Sequence, residues 1–234
     1  MQDIALNWSS GKDAAMAFYQ LQHSPGYRVK TLLTSLSEGY NRVSMHGTPA
    51  ALLECQAQRM QLPLKQVRLP ENADMASYNT IMQTAVSDLQ AVGINTFAFG
   101  DIFLEDLRTY RESQLAQAGA NAIFPLWKRN TAELVAAVED SGIKAMIICV
   151  HDKFLGKEFL GRFINRGLLN DLPPGVDPCG ENGEYHTVVI DAPFFSEPIA
   201  VHKGETVYKK YKAADEADAA WHTGFYFLDV QPAP

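Results

Sequence analysis

Apolar and polar positions alternate in blocks along the first two-thirds of the chain. Ile4-Ala5-Leu6-Asn7-Trp8 is a short apolar run that stops in a Ser/Gly turn, and Asp13 to Gln22 then carries helical spacing. Val29 to Leu36 predicts a second strand, and Thr48-Pro49 predicts the cap and first residue of a helix from Ala50 to Met60. Pro63 to Leu69 alternates as a strand does. Asp74 to Val92 predicts a long amphipathic helix closed by Gly93, followed by a strand over Asn95 to Phe99. Leu104 to Ala118 (helix), Ala120 to Phe124 (strand), Thr131 to Ser141 (helix) and Lys144 to Val150 (strand) continue the rhythm. Such alternation predicts an α/β fold, a parallel sheet flanked by helices, over residues 1–150.

After His151 the pattern changes. A helix is expected around Phe159 to Leu169, then a polar run from Asp177 to Thr187. About three strands follow between Val188 and Val230, with turns at Ala192-Pro193 and Lys203-Gly204. Residues 151–234 therefore read as a smaller α+β domain packed against the first.

Composition narrows the classes. The 234 residues are 47% hydrophobic and 20% charged, which is ordinary for a globular chain. Twenty basic against 27 acidic residues give a net charge of −7, which opposes sequence-independent binding to nucleic acid or an anionic membrane. No apolar run reaches the ~20 residues of a membrane span, and Asp3 stands where a signal peptide is basic. A cytoplasmic location is expected. Cys55, Cys149 and Cys179 are widely spaced and form no C-x-x-C pair, so a disulfide framework and a zinc or iron–sulfur centre are not expected.

Two stretches carry candidate chemistry. Ser9-Ser10-Gly11-Lys12-Asp13 lies between the first strand and the first helix, where free helix N–H groups, a positive dipole end and a lysine suit an anion. It lacks the first glycine of a Walker A loop and is not a G-x-G-x-x-G turn. A Ser/Gly turn that merely caps a helix is the other reading. The segment resembles the S-G-G-K-D-S pyrophosphate loop of ATP pyrophosphatases with an adenine-nucleotide α-hydrolase-like, Rossmann-like fold. Ser10 replaces the first glycine and Ala14 the final serine. The resemblance implies that Ser9, Ser10, Gly11, Lys12 and Asp13 bind ATP, with Thr34 and Ser35 near adenine.

The second stretch, Asp177 to Thr187, packs three carboxylates, a histidine, a thiol and two glycines into a short space. Glu181 and Glu184 are candidates for holding magnesium or an ammonium-like group, and His186 for proton transfer near neutral pH. A solvated acidic turn is the plain alternative. The stretch resembles the G-E-x-G-E-[YF]-H-T signature of the diphthine–ammonia ligase family. Arg42 to Gly47, Phe99 to Ile102, Pro125 to Trp127, Leu160 to Arg162 and Ala192 to Phe195 are further landmarks in order.

That resemblance implies an ATP-dependent ligase that adenylates a carboxylate, releases pyrophosphate and then transfers ammonia with release of AMP. ATP, Mg2+, ammonium and a carboxylate acceptor such as diphthine on elongation factor 2 are its expected partners, with catalytic roles for Lys12, Asp101, Glu181, Glu184 and His186. Glu184 is the expected ammonium or base site, and His46 a candidate for acceptor recognition. Arg108 and Arg111 suit either phosphate binding or a surface charge pair, whereas Cys179 is expected to pack. Free ammonium is the expected nitrogen source, since Met1-Gln2 offers no amino-terminal cysteine nucleophile. Because Arg42 to Gly47 resembles compact relatives, an acceptor in cobalamin metabolism stays open. So does a nucleotide-binding protein without turnover, which Ala14 favours.

Overall fold

A computed structural model describes residues 1–43, 47–71, 73–211 and 223–233. His46, with Ser44 and Met45, lies outside the described residues. The first sheet is built from β1 (Gln2–Asn7), β2 (Tyr27–Ser37), β3 (Arg42–Val43), β4 (Leu64–Leu69), β5 (Thr96–Ala98) and β6 (Asn121–Ile123). Its helices are α1 (Lys12–Gln22), α2 (Ala50–Met60), α3 (Met75–Ala91) and α4 (Glu105–Gln117). The order is β3-β2-β1-β5-β6, with β4 also on β2, and every pairing except β2–β3 is parallel.

The chain moves from β1 to β2 on one side and later returns to β5 on the other. Connections therefore diverge at the carboxyl end of β1, where open α/β sheets form a crevice. β1 is buried on both faces: Ile4 and Leu6, with Trp8 just beyond the strand, enter one core with α1 and α2, while Ala5 enters another with α3 and α4. Double-sided burial explains its unbroken apolar run.

The second sheet is antiparallel, in the order β8-β7-β10-β9, from β7 (Lys144–His151), β8 (Tyr185–Asp191), β9 (Val201–Tyr211) and β10 (Thr223–Pro232). Helices α5 (Thr131–Asp140) and α6 (Arg166–Asp171) accompany it. Here the expectations need correction. Lys144 to Val150 does not end the parallel sheet; β7 pairs with β8 and β10, and its two-sided burial gives the same apolar run as a parallel strand. The helix expected over Phe159 to Leu169 is broken into a 3-10 turn, Lys157–Phe159, and α6. Between them Gly161, at φ +79°, bonds its N–H to the Ile147 carbonyl, and Ile147 returns a bond to Arg162. Nor does the chain turn at Lys203-Gly204, because β9 runs through it, with its register slipping opposite Leu228 to Val230.

One core cluster runs from Ile4, Leu6 and α1 through α2 into β7 and β8, so the two sheets share an interior. A buried polar junction pins them within it. Gln56, on the inward stripe of α2, is fully buried; its Oε1 accepts from Trp8 Nε1 at 2.8 Å, and its Nε2 donates to Ser10 O (3.1 Å) and Val189 O (2.7 Å). Val189 N donates to Ser10 O at 2.9 Å. Thr48, expected as a cap, instead shares a 2.7 Å hydrogen bond with the Ser10 hydroxyl, and Pro49 takes the N-cap position.

Gln56→Leu is expected to strand the Trp8 indole N–H and the Val189 carbonyl. At about 1–3 kcal/mol per buried unpaired group, urea unfolding should show a loss of about 2–5 kcal/mol. Gln56→Glu, which also removes both donors, should lose at least as much. A loss below about 1 kcal/mol for either variant would contradict this role.

Candidate active site

A cleft of about 730 Å3 lies beyond the carboxyl ends of β1, β2 and β5. Ser9 and Gly11 line it from the first loop, Lys12, Asp13 and Ala14 from the start of α1, Thr34 and Ser35 from β2, and Gly100 and Asp101 from the segment after β5. Glu181, Asn182, Gly183, Tyr185, His186 and Thr187 form the facing wall. The structure thus brings the two sequence-predicted stretches onto one cavity.

Gly11 caps α1 through backbone alone. Thr187 Oγ1 accepts the Lys12 N–H at 3.0 Å, so β8 seals one of the open helix donors. The next two donors belong to Asp13 and Ala14, both on the cleft. Gly100 fits so closely beneath this turn that a Cβ there would stand 2.8 Å from the Asp13 carbonyl carbon and 2.9 Å from Ala14 N. Ser10 departs from its expected role. It sits at φ 75°, a left-handed conformation that costs a non-glycine residue about 1–2 kcal/mol. Its hydroxyl is spent on Thr48, and it does not line the cleft. The missing family glycine is thus a matter of backbone conformation.

Lys12 is 2% exposed. Its Nζ lies 2.8 Å from Asp13 Oδ2 and 5.2 Å from the centre of the Tyr185 ring. Burial pulls its pKa down, but the Asp13 carboxylate lifts it above the ordinary value, so Lys12 carries full charge. Burial, and then the Asp177 and Asp101 charges, push Asp13 upward against the pull of Lys12. Asp101 is held side-on by Arg111, Nε–Oδ2 2.8 Å and Nη2–Oδ1 3.2 Å. Arg108 lies elsewhere, on Glu112 (2.8 Å) and over the Phe124 and Trp127 rings.

The second stretch divides its carboxylates. Glu181 faces the cleft and accepts the Ile102 N–H at 2.7 Å. Burial, aided by the Asp13 charge, pushes its pKa up to about 7. Glu184 is 1% exposed and does not line the cleft. Its Oε1 accepts from Asp177 N and Asn182 Nδ2, both at 3.0 Å, while Oε2 has no hydrogen-bond partner among the described residues. Asp177 Oδ2 in turn accepts from Cys179 N and Glu181 N, each at 3.0 Å. Asp177 and Glu184 thus tie the loop that presents Glu181. Cys179 Sγ packs toward Thr131 O at 3.3 Å, and burial raises its pKa, so the thiol is protonated at neutral pH.

Sequence reasoning missed Gln56, Tyr185 and the aromatic wall of Tyr78 and Tyr110. A polar residue within the apolar stripe Leu52, Leu53, Ala57, Met60 signals Gln56. The signature's own aromatic position signals Tyr185. Nothing local marks Tyr78 and Tyr110, which meet only because α3 and α4 converge on the cleft.

Fold and site together define an α/β protein with a cationic strand-to-helix turn at its switch point, walled by an antiparallel sheet. The chain belongs to the diphthamide synthase family: residues 1–121 match the model of the diphthamide synthase N-terminal domain, and residues 130–232 that of the C-terminal domain. It is similar to diphthine–ammonia ligase of Danio rerio, 31% identical over 120 residues covering 49% of this chain and 47% of that protein. The Rattus norvegicus counterpart is 33% identical over 49% of this chain and 45% of its own. For Schizosaccharomyces pombe the figures are 29%, 57% and 23%. These matches span less than half the length of each relative. Among the described residues no helix is long and apolar enough to cross a membrane.

The raised pKa of Glu181 has a measurable sign. The native state holds this proton more tightly than the unfolded chain does. Ionising Glu181 therefore removes stability as pH rises from 4.5, its ordinary value, through about 7. Glu181→Gln should be more stable than the wild type at pH 8 and should flatten that slope in urea titrations at pH 5–8. An unchanged slope would contradict the assignment.

Proposed function

We propose that the chain is an ATP-dependent ligase that joins ammonia to a carboxylate acceptor, with AMP and pyrophosphate as products. The reading rests on one observation above all: a buried, charged Lys12 at the amino end of α1 faces Glu181, a carboxyl poised near neutral pH, across one cleft. A carboxylate is a poor electrophile, so its oxygen attacks the α-phosphorus of ATP. A P–O bond forms to the acceptor and the bond to pyrophosphate breaks. Ammonia nitrogen then attacks the acyl carbon and AMP leaves.

Lys12 and the α1 N–H groups bind the departing phosphates. Ammonium gives one proton to solvent as ammonia forms, and Glu181 takes the second as the nitrogen adds to the acyl carbon, the role for which a pKa near the working pH is suited. Glu184, expected to bind ammonium itself, acts in this reading by positioning Glu181, with its open Oε2 available to a small donor. Asp101 pairs with Arg111 at the edge of the cleft, and His186 lines the cleft as well. Thr34 and Ser35 lie where the adenine end would rest.

Among the described residues no three acidic, histidine or cysteine side chains form a metal cage. Magnesium commonly arrives with phosphates and needs only one or two carboxylates, and Asp13 on the cleft fits that requirement. When bound, it would neutralise charge on the phosphates. Diphthine is the acceptor proposed from the names of the relatives, and its place on elongation factor 2 is what the family resemblance implies.

Incubation with ATP, magnesium, ammonium and acceptor should release AMP and pyrophosphate in equal amounts. Lys12→Ala should abolish most of that release. Glu181→Gln should lower amide formation by at least about 100-fold with ATP affinity nearly kept. ADP and phosphate as sole products would refute the reading. A second reading, nucleotide binding without turnover, draws on Ala14, which lines the cleft with no hydroxyl. ATP bound yet left intact with every acceptor would favour it.

A further inference from the structure

The cleft has more negative than positive charge for a ligand that is itself an anion. Asp13, Asp74, Asp101 and Glu181 line it, against Lys12 and Arg111 as the lysine and arginine among the described lining residues. Each cation is already paired with the carboxylate beside it: Lys12 with Asp13, and Arg111 with Asp101. A polyphosphate approaching this arrangement meets two closed ion pairs rather than two open cations.

Arg111 is built differently from its neighbour one helical turn away. Arg108 lies across the Trp127 ring at 4.6 Å and binds Glu112 within the same helix, off the cleft. Arg111 stacks over Phe99 at 4.5 Å, and this packed ring orients the guanidinium at the mouth of β5. Nη2 donates to Asp101 Oδ1, whereas Nε, 2.8 Å from Oδ2 in the ion pair, makes no hydrogen bond among the described residues; a guanidinium carries five N–H donors in a plane, and its fork matches phosphate as well as it matches carboxylate. Asp101 follows Gly100, whose backbone abuts Asp13, so the pair stands beside the turn that carries Lys12.

We propose that Arg111 is the second phosphate-binding cation of this cleft, held ready by Phe99 and Asp101 and transferred in part from Asp101 to the phosphates when they enter. The exchange keeps charge balanced at each step: Arg111 leaves one oxyanion for another, and the freed Asp101 faces the same cleft, where it can receive a cation that accompanies the ligand. The inference deepens the nucleotide reading above and rests on it. It separates the two arginines that the sequence leaves equivalent.

Calorimetric titration with inorganic pyrophosphate tests this without any turnover. Arg111→Ala should weaken binding by about 10- to 100-fold, the range of a charge-assisted hydrogen bond. Arg111→Lys, which keeps the charge and loses the fork, should fall between it and the wild type. Arg108→Ala should bind as the wild type does. Asp101→Asn is the decisive arm: it loosens the ion pair but leaves Arg111 free, so affinity should hold or rise. Melting curves identify any variant that has lost its fold, and Arg111→Lys then carries the comparison.

Wild-type affinity in both Arg111 variants would overturn the assignment alone. So would an Asp101→Asn loss as large as that of Arg111→Ala, which would make Arg111 a support for Asp101. A wild-type protein that takes up no pyrophosphate would overturn this inference together with the nucleotide reading.

Discussion

A single buried amide governs how the two halves of this molecule meet. Gln56 has one acceptor and two donors, and all three are used, on Trp8, Ser10 and Val189. These partners belong to the end of β1, the first loop and β8. In a dry interior each of those groups is costly to leave unpaired, so the network permits one relative placement of the loop and the second sheet. Two further bonds, Lys12 N to Thr187 and Val189 N to Ser10, extend the same junction toward the cleft. Hydrophobic burial brings the sheets together, but burial is non-directional. The polar junction sets the geometry that opposes Lys12 and Glu181.

The charges in the cleft follow from that placement. Carboxylates from three separate segments crowd one cation-bearing turn, and their mutual repulsion, added to burial, raises Asp13 and Glu181 above their ordinary ranges. The Asp13 carboxylate keeps Lys12 charged although it is almost fully buried. The free protein therefore stores unfavourable electrostatics at the site, which a cation or a proton can relieve. Strain of this kind is common where function requires it.

Much of this was legible in the sequence. The strand–helix alternation locates the parallel sheet, and Ser9 to Asp13 and Asp177 to Thr187 are the two walls of the cleft. What was not legible has physical causes. An apolar run reports burial but not the partner strand, so Lys144 to Val150 reads as a strand of the parallel sheet although β7 lies in the antiparallel one. Side-chain direction in an irregular loop has no period, so Glu184 and Glu181 look alike in sequence although one turns inward to hold Asp177 and the other faces the cleft. Ser10 looked like a donor to phosphate, but its left-handed backbone and its bond to Thr48 turn the hydroxyl inward. Arg108 and Arg111 share a helix and a spacing; only tertiary contacts with Trp127 and Phe99 tell them apart.

The central claim is that the cleft between the sheets is a nucleotide site with its phosphates at the amino end of α1. A crystal structure with a non-hydrolysable ATP analogue tests it most directly. The account predicts the β- and γ-phosphates beside Lys12 and the Asp13 and Ala14 N–H groups, with the α-phosphate turned toward Glu181. An analogue seated outside the cleft, or one whose adenine rather than phosphates occupies the Lys12 turn, would contradict it.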